Sequence, residues 1–280
     1  MKHMHPTDRI AAIATGIVAF LVVLGPLIMA WQLLDGGGKA LSWGFLWQAP
    51  QDAGRSGGIG PVLLSTVWVL SVCLLAAVPI GLGAALFLVE TVDAKSHLGK
   101  SLQLALDVLG GIPSIVFGLF GNRFFCVELG MGFSILSGGL TLACMVLPLF
   151  VRSTEQALRA CPSSYRQAAN ALNISRIGFI WHVMLPFALP GLAVGLVLAA
   201  GRALAETAVL LFTAGYVTRW PETWFDSGRT LAVHIYDLAM NVAGGTAPAA
   251  ATALVLLGVA LMFQALAHGI VRWQAQGNPT

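Results

Sequence analysis

Long apolar stretches separated by short polar segments organise this chain. Six are apparent, at about 10–34, 61–89, 102–125, 129–151, 185–214 and, inside the charge-free run 238–271, from near Pro248. A helix crosses roughly 30 Å of hydrocarbon with about 20 apolar residues, so each stretch predicts a membrane-spanning helix. Helices suit such runs because they pair their own backbone groups inside lipid. A β-barrel needs alternating segments of about ten residues, and that pattern is absent. The first run follows Lys2 and Arg9, as a signal peptide would. It is too long for an ordinary apolar signal core and no small-x-small cleavage site follows, so it reads as a retained span. The third run is interrupted by Asp107 and Arg123, and the fifth contains Arg202 and Glu206.

Composition agrees with an all-α membrane protein of six transmembrane helices. Hydrophobic residues make up 57% of the chain, charged residues 10%, and mean hydropathy is +0.82. Soluble domains carry about 25% charged residues. Fifteen basic and twelve acidic side chains are too few to solvate a 280-residue globule, which argues against a soluble enzyme, a disordered protein or a nucleic-acid binder. The formal charge of +3 is too small to imply a polyanionic partner. Cys73, Cys126, Cys144 and Cys161 are widely spaced and form no CxxC. They read as small apolar residues rather than a disulfide frame or metal site. His3 and His5 belong to a polar leader.

Six spans put both termini on one side, and the cations choose it. Lys2, Arg9, Lys95, Lys100, Arg152, Arg159, Arg166, Arg176 and Arg272 fall on the terminal side. Lys39, Arg55, Arg123, Arg219 and Arg229 fall on the other. The excess places the termini in the cytoplasm. The long inner segment then lies near 152–184, and the outer loops at 35–60 and 215–247, the latter rich in interfacial aromatics such as Trp220, Trp224, Phe225 and Tyr236. With no internal repeat and no soluble segment, 1–280 reads as a single membrane domain.

Chemistry is sparse. Leu98–Gly99–Lys100–Ser101 imitates the end of a phosphate-binding loop, but that loop needs a glycine where Ala94 stands, and no strand precedes it. No catalytic nucleophile, paired-carboxylate set or metal motif is evident, and no cofactor is implied. The informative segment is 152–190. Pro162 is placed to start a helix, and 163–172 is rich in helix formers. Such a helix is either an interfacial cover or a docking helix. In the second case Ala168, Ala169 and Ala171 admit close approach and Leu172 fills a pocket.

QAANALN (167–173) followed by WHVMLP (181–186) resembles the coupling loop of ABC importer permeases. Gln167 replaces the usual Glu of that signature, and Asn173 stands where Gly is usual. Asn is the next-best residue for a left-handed turn. GGIGPVLLSTV (57–67), GGIPSIVFGLFG (110–121), LPLFVRSTEQALRACP (147–162) and GRALAETAVLLFTAG (201–215) are similar to the phosphate ABC transporter permeases of the PstA type. The resemblance covers most of the chain from about Gly57. It implies a type I ABC importer permease (MetI-like) core at about 57–272 and a coupling loop at about 160–178. Tyr165, Gln167, Ala168, Ala169, Leu172 and Asn173 would then face an ATPase. It also implies a second homologous permease subunit, two cytoplasmic ATPase subunits and a periplasmic phosphate-binding protein, with no ATPase site in this chain.

Arg202 is the strongest single residue. A cation deep in a span costs at least ~2.5 kcal/mol on insertion scales, and Glu206 is four positions on, hence expected on the same helix face. Either the two form a structural ion pair, or Arg202 lines an anion pathway and Glu206 tempers its grip. Arg152, at the expected inner end of the fourth span, either snorkels or adds a later contact. The resemblance favours the pathway for both. Pro79, Pro113, Pro148 and Pro190 are packing kinks or hinges. A permease for another oxyanion (phosphonate, sulfate or molybdate) and an ion-coupled secondary transporter stand as alternative functions.

Overall fold

The computed structural model describes residues 6–93 and 95–277, so the leader with Lys2, His3 and His5 lies outside the described residues. The first apolar run forms α1 (Pro6–Gly37), whose apolar side chains are largely exposed, as lipid contact requires. A connecting segment carries α2 (Trp43–Trp47) and a two-residue antiparallel pair, Pro50–Gln51 with Ser56–Gly57. It leads into α3 (Gly60–Glu90), where Pro61 occupies the helix start, a position whose backbone N–H has no intrahelical partner anyway.

The single crossing expected over 102–125 is broken. α4 (His97–Gly111) and α5 (Ser114–Gly121), the latter continued by a π-helical turn over Asn122–Glu128, are bent by 95° to one another. Pro113 has no N–H and pushes the preceding Ile112 into an extended conformation (φ −66°, ψ 131°), and two glycines before it weaken the helix. The imitation phosphate loop is simply the start of α4: Ser96 Oγ accepts the Gly99 N–H at 3.0 Å.

α6 (Ile135–Arg159) begins and ends later than the predicted 129–151. Gly130 and Gly132 adopt positive φ, and Ser134 Oγ caps the Ser137 N–H at 3.1 Å. Beyond a connecting turn come α7 (Ser163–Ala171), α8 (Arg176–Phe179) and a π-helical turn over Ile180–Met184. α9 (Leu185–Ala205) and α10 (Ala208–Thr213) replace the continuous span expected over 185–214. The chain breaks at Glu206, which is extended (φ −77°, ψ 130°). The break lets α10 cross α5 at Gly118, where a Cβ would come within 3.2 Å of Val209 Cα. Asn122 Nδ2 donates to Phe212 O at 2.7 Å across this crossing. The loop 215–247 holds an unforeseen helix, α11 (Leu231–Met240), before α12 (Thr246–Gly277). Leu231, His234, Ile235 and Leu238 carry the helical spacing that would have revealed it.

Among the described residues, five helices are therefore long and apolar enough to span a membrane, with a sixth crossing if the bent pair counts as one. α3, α6 and α9 form the centre, packing Val69, Val72, Leu142, Val146, Ala199 and Ala203. Lipid tails are as apolar as these side chains, so close packing rather than water exclusion holds the helices together. At Gly139 the fit is extreme: an added Cβ would lie 2.5 Å from Val72.

α11 is pinned by Thr66 Oγ1 of α3, which accepts the Leu231 N–H at 2.9 Å. Its His234 is buried, which together with the Arg229 charge pushes the imidazole down to about 4, against the pull of Asp237. The folded state therefore stays neutral between about pH 4 and 6.5, where the unfolded chain binds a proton. Stability should fall as pH drops through that window, by about 1.4 kcal/mol per unit within it. Melting temperatures at pH 7.5 and 5.0 should show the loss, and His234→Gln should reduce it.

Candidate functional site: two arginines lining one cavity

Arg202 sits in the last turn of α9, where a cation complements the helix dipole. Glu206 does not share its helix face, because α9 ends at Ala205. The chain turn instead brings Glu206 Oε1 to 3.7 Å from Arg202 Nη2. This separation is too long for a hydrogen bond. The Arg202 side chain is 44% exposed and that of Glu206 14%, so the guanidinium is the accessible member.

Arg152 is not at the end of its span. It lies two turns inside α6 and is fully engaged. Its Nη2 donates to Asp107 Oδ1 at 2.6 Å and to Gln103 O at 3.0 Å, and its Nη1 to Glu155 Oε2 at 3.3 Å. Glu155 is buried and also accepts from Arg159 Nε at 2.9 Å, while Arg159 Nη2 donates to Leu88 O at 3.2 Å. Asp107, first seen only as an interruption of an apolar run, is thus half of an α4–α6 ion pair.

The structure brings Arg152 and Arg202 together. Both line one open cavity of about 300 Å³, with Leu106, Asp107, Gly110, Met145, Pro148 and Leu149. A second open cavity of about 500 Å³, lined by Gln103, Gln156 and Arg159 among others, shares Arg152 and Asp107 with the first. The Arg152–Asp107 pair therefore stands on the wall common to both. A guanidinium presents a planar fork that matches two oxygens of an oxyanion, so Arg202 is free to make a contact that Arg152 can make only if Asp107 lets go. Among the described residues, no group of three His, Cys, Asp or Glu side chains is placed to hold a metal.

The predicted docking residues divide. Pro162 precedes α7 and Asn173 adopts the left-handed conformation (φ 54°), as their chemistry predicts. Tyr165, Ala168 and Leu172, at i, i+3 and i+7, are exposed, as is Gln167. Ala169 is a correction. It is 4% exposed and packs in the chain's own core with Ala85, Leu88, Phe179 and Met184, on the flank of α7 that it shares with Arg166 three residues earlier. On that inner side Arg166 bonds Glu90, whose carboxylate raises the Arg166 guanidinium further above its ordinary value.

The family model for binding-protein-dependent transport system inner membrane components matches residues 77–274. This chain belongs to that family. A probable ABC transporter permease protein of Bacillus subtilis, YqgI, is 32% identical over 82% of this chain and 78% of its own length. The phosphate transport system permease protein PstA 2 of Mycobacterium bovis is 32% identical over 72% of this chain, which spans 66% of that protein. Among solved structures, a bacterial ABC transporter for alginate import superposes with a TM-score of 0.63 at 17% identity, covering 94% of both chains. The MetNI methionine ABC transporter superposes with a TM-score of 0.61 at 20% identity, covering 75% of this chain and 93% of that one. These two likenesses establish the MetI-like permease fold. The protein is thus a multi-span permease subunit of the inner membrane.

Burial of Ala169 has a direct consequence. Ala169→Asp places an unpaired charge in the core and should cost several kcal/mol, whereas Leu172→Asp, at a side chain 73% exposed, should leave the fold intact. Folded yield in detergent by size-exclusion chromatography should fall for the first variant and hold for the second.

Proposed function

We propose that this permease is the transmembrane subunit of an ATP-driven phosphate importer and forms half of the phosphate pathway. A second homologous permease forms the other half. One of two cytoplasmic ATPase subunits docks on the exposed stripe of α7 and the other on the second permease, and a periplasmic phosphate-binding protein delivers the anion to the opposite face. Both termini lie in the cytoplasm, in keeping with the excess of Lys and Arg on that side. The chain itself hydrolyses nothing.

The observation that carries this reading is the cavity in which Arg202 and Arg152 meet, in a chain whose relatives include PstA proteins. Phosphate bears one to two negative charges at neutral pH, and its passage through a low-dielectric layer needs fixed cations. Arg202 offers the fork, and Glu206 at 3.7 Å keeps the grip weak enough for release. Arg152 is the next contact toward the cytoplasm, its charge held in readiness by Asp107. Tyr165, Gln167, Ala168, Leu172 and Asn173 form the coupling surface, with Ala169 supporting it from behind.

Labelled-phosphate uptake beside complex yield tests this assignment. Arg202→Gln should lower uptake about tenfold or more, the worth of one charge-assisted contact, with the complex still assembled. Arg202→Lys should be partly defective, because the charge stays and the fork is lost. Glu206→Gln should change turnover and spare assembly. Normal transport by Arg202→Gln, or a loss that only follows complex yield, makes the arginine structural. Uptake of labelled sulfate in place of phosphate favours another oxyanion. Uptake without any ATPase favours a secondary transporter.

A further inference from the structure

Glu90 is the last residue of α3, and its side chain is only 5% exposed. Two arginines close on it from the loop that carries α7. Arg166 Nη1 donates to Oε2 at 3.0 Å, and its Nη2 donates to Oε1. Arg176 Nε, from α8, donates to Oε2 at 3.0 Å, and its Nη2 donates to the Glu90 carbonyl oxygen. Their side chains are 43% and 58% exposed. The carboxylate is therefore the desolvated member, held between two wetter cations. Arg166 is fixed further by lying 4.9 Å over the Phe179 ring.

We propose that Glu90 is the positioning residue through which movement of the α7 loop reaches the membrane helices. The inference rests on the transport reading above. A buried ion pair adds little stability over an apolar replacement, so net stability does not explain this one. Apolar contact beneath the loop is also incomplete: an open cavity of about 380 Å³ lies beside the clamp, lined by Leu158, Cys161, Pro162 and Ser163 among others. Apolar packing sets proximity without direction, whereas charge-assisted hydrogen bonds fix geometry. Both sides of the loop, α7 through Arg166 and α8 through Arg176, converge on this one carboxylate. A load applied to α7 is thereby delivered to the end of α3. Arg159 of α6 bonds Leu88 O two residues away and shares Glu155 with Arg152, so the end of α3 is also tied to the wall of the anion cavity.

The test uses the assembled transporter in proteoliposomes, with its ATPase subunits and phosphate-loaded binding protein, and measures phosphate uptake and ATP hydrolysis together. Glu90→Gln should leave complex yield and basal ATP hydrolysis within about twofold, while uptake and phosphate moved per ATP each fall about tenfold or more. Glu90→Asp, which keeps the charge on a shorter stem, should recover part of that loss. Adding Arg166→Gln to Glu90→Gln should worsen uptake less than twofold, although Arg166→Gln alone is defective, because coupled residues are non-additive. An unchanged ratio of phosphate to ATP in Glu90→Gln, a loss that merely tracks yield, or an additive double variant overturns the proposal. An unaltered transporter that takes up no phosphate overturns the parent reading instead.

Discussion

A charge enclosed by apolar helices must be paired, since isolating it from water costs several kcal/mol even after relaxation. In this permease the pairs made by Glu90, Glu155 and Glu206 share one asymmetry. Glu90 and Glu155 are each 5% exposed and Glu206 14%, while Arg152, Arg159, Arg166, Arg176 and Arg202 range from 27% to 58%. These three glutamates are embedded, and the long guanidiniums reach them from wetter positions. Asp107 is the exception: it is 64% exposed beside Arg152 at 27% and lines both cavities with it. In the anion route proposed above, Arg202 and Arg152 attract the ion while Glu206 and Asp107 compete for them and allow release.

The same constraint explains where the helices break. Backbone that leaves the helix at membrane depth is tolerated only where protein or a wet cavity satisfies it. Both interruptions, at Ile112–Pro113 and at Glu206–Thr207, lie beside residues of the arginine cavity, Gly110 and Arg202. Discontinuous helices at a binding site recur in membrane transporters. Here the breaks free α5 and α10 to cross at Gly118, and they leave Arg202 at a helix end where its fork is not consumed by helix packing.

The α7 loop applies the principle at the other end of the chain's charge network. One flank of α7 is committed inward through Arg166 and Ala169, and the stripe beside it displays Tyr165, Ala168 and Leu172. An exposed apolar stripe backed by the Glu90 clamp suits the docking role proposed for α7, because a partner can push on it without peeling it away. The missing Glu at position 167 removes a charge from the outward face but leaves the inward attachment untouched.

Much of this was legible in the sequence because it depends on neighbours along the chain. Apolar run length predicts helices in lipid wherever the run occurs. Pro162 and Asn173 act through their own backbone preferences, and they begin and end α7 as read. Arg202 and Glu206 stood out because charge in an apolar run is costly in any fold. What the sequence concealed depends on distant partners. Asp107 meets Arg152 across 45 positions, and Glu90 meets Arg166 across 76 and Arg176 across 86. The inward turn of Ala169, the 95° bend of the third span and the burial of α11 also follow from packing among elements far apart in the chain. Hydropathy states that a residue can be buried. Which carboxylate a given arginine reaches is decided only when the helices are side by side, since a directional ion pair forms over a few ångströms and has no signature in local composition.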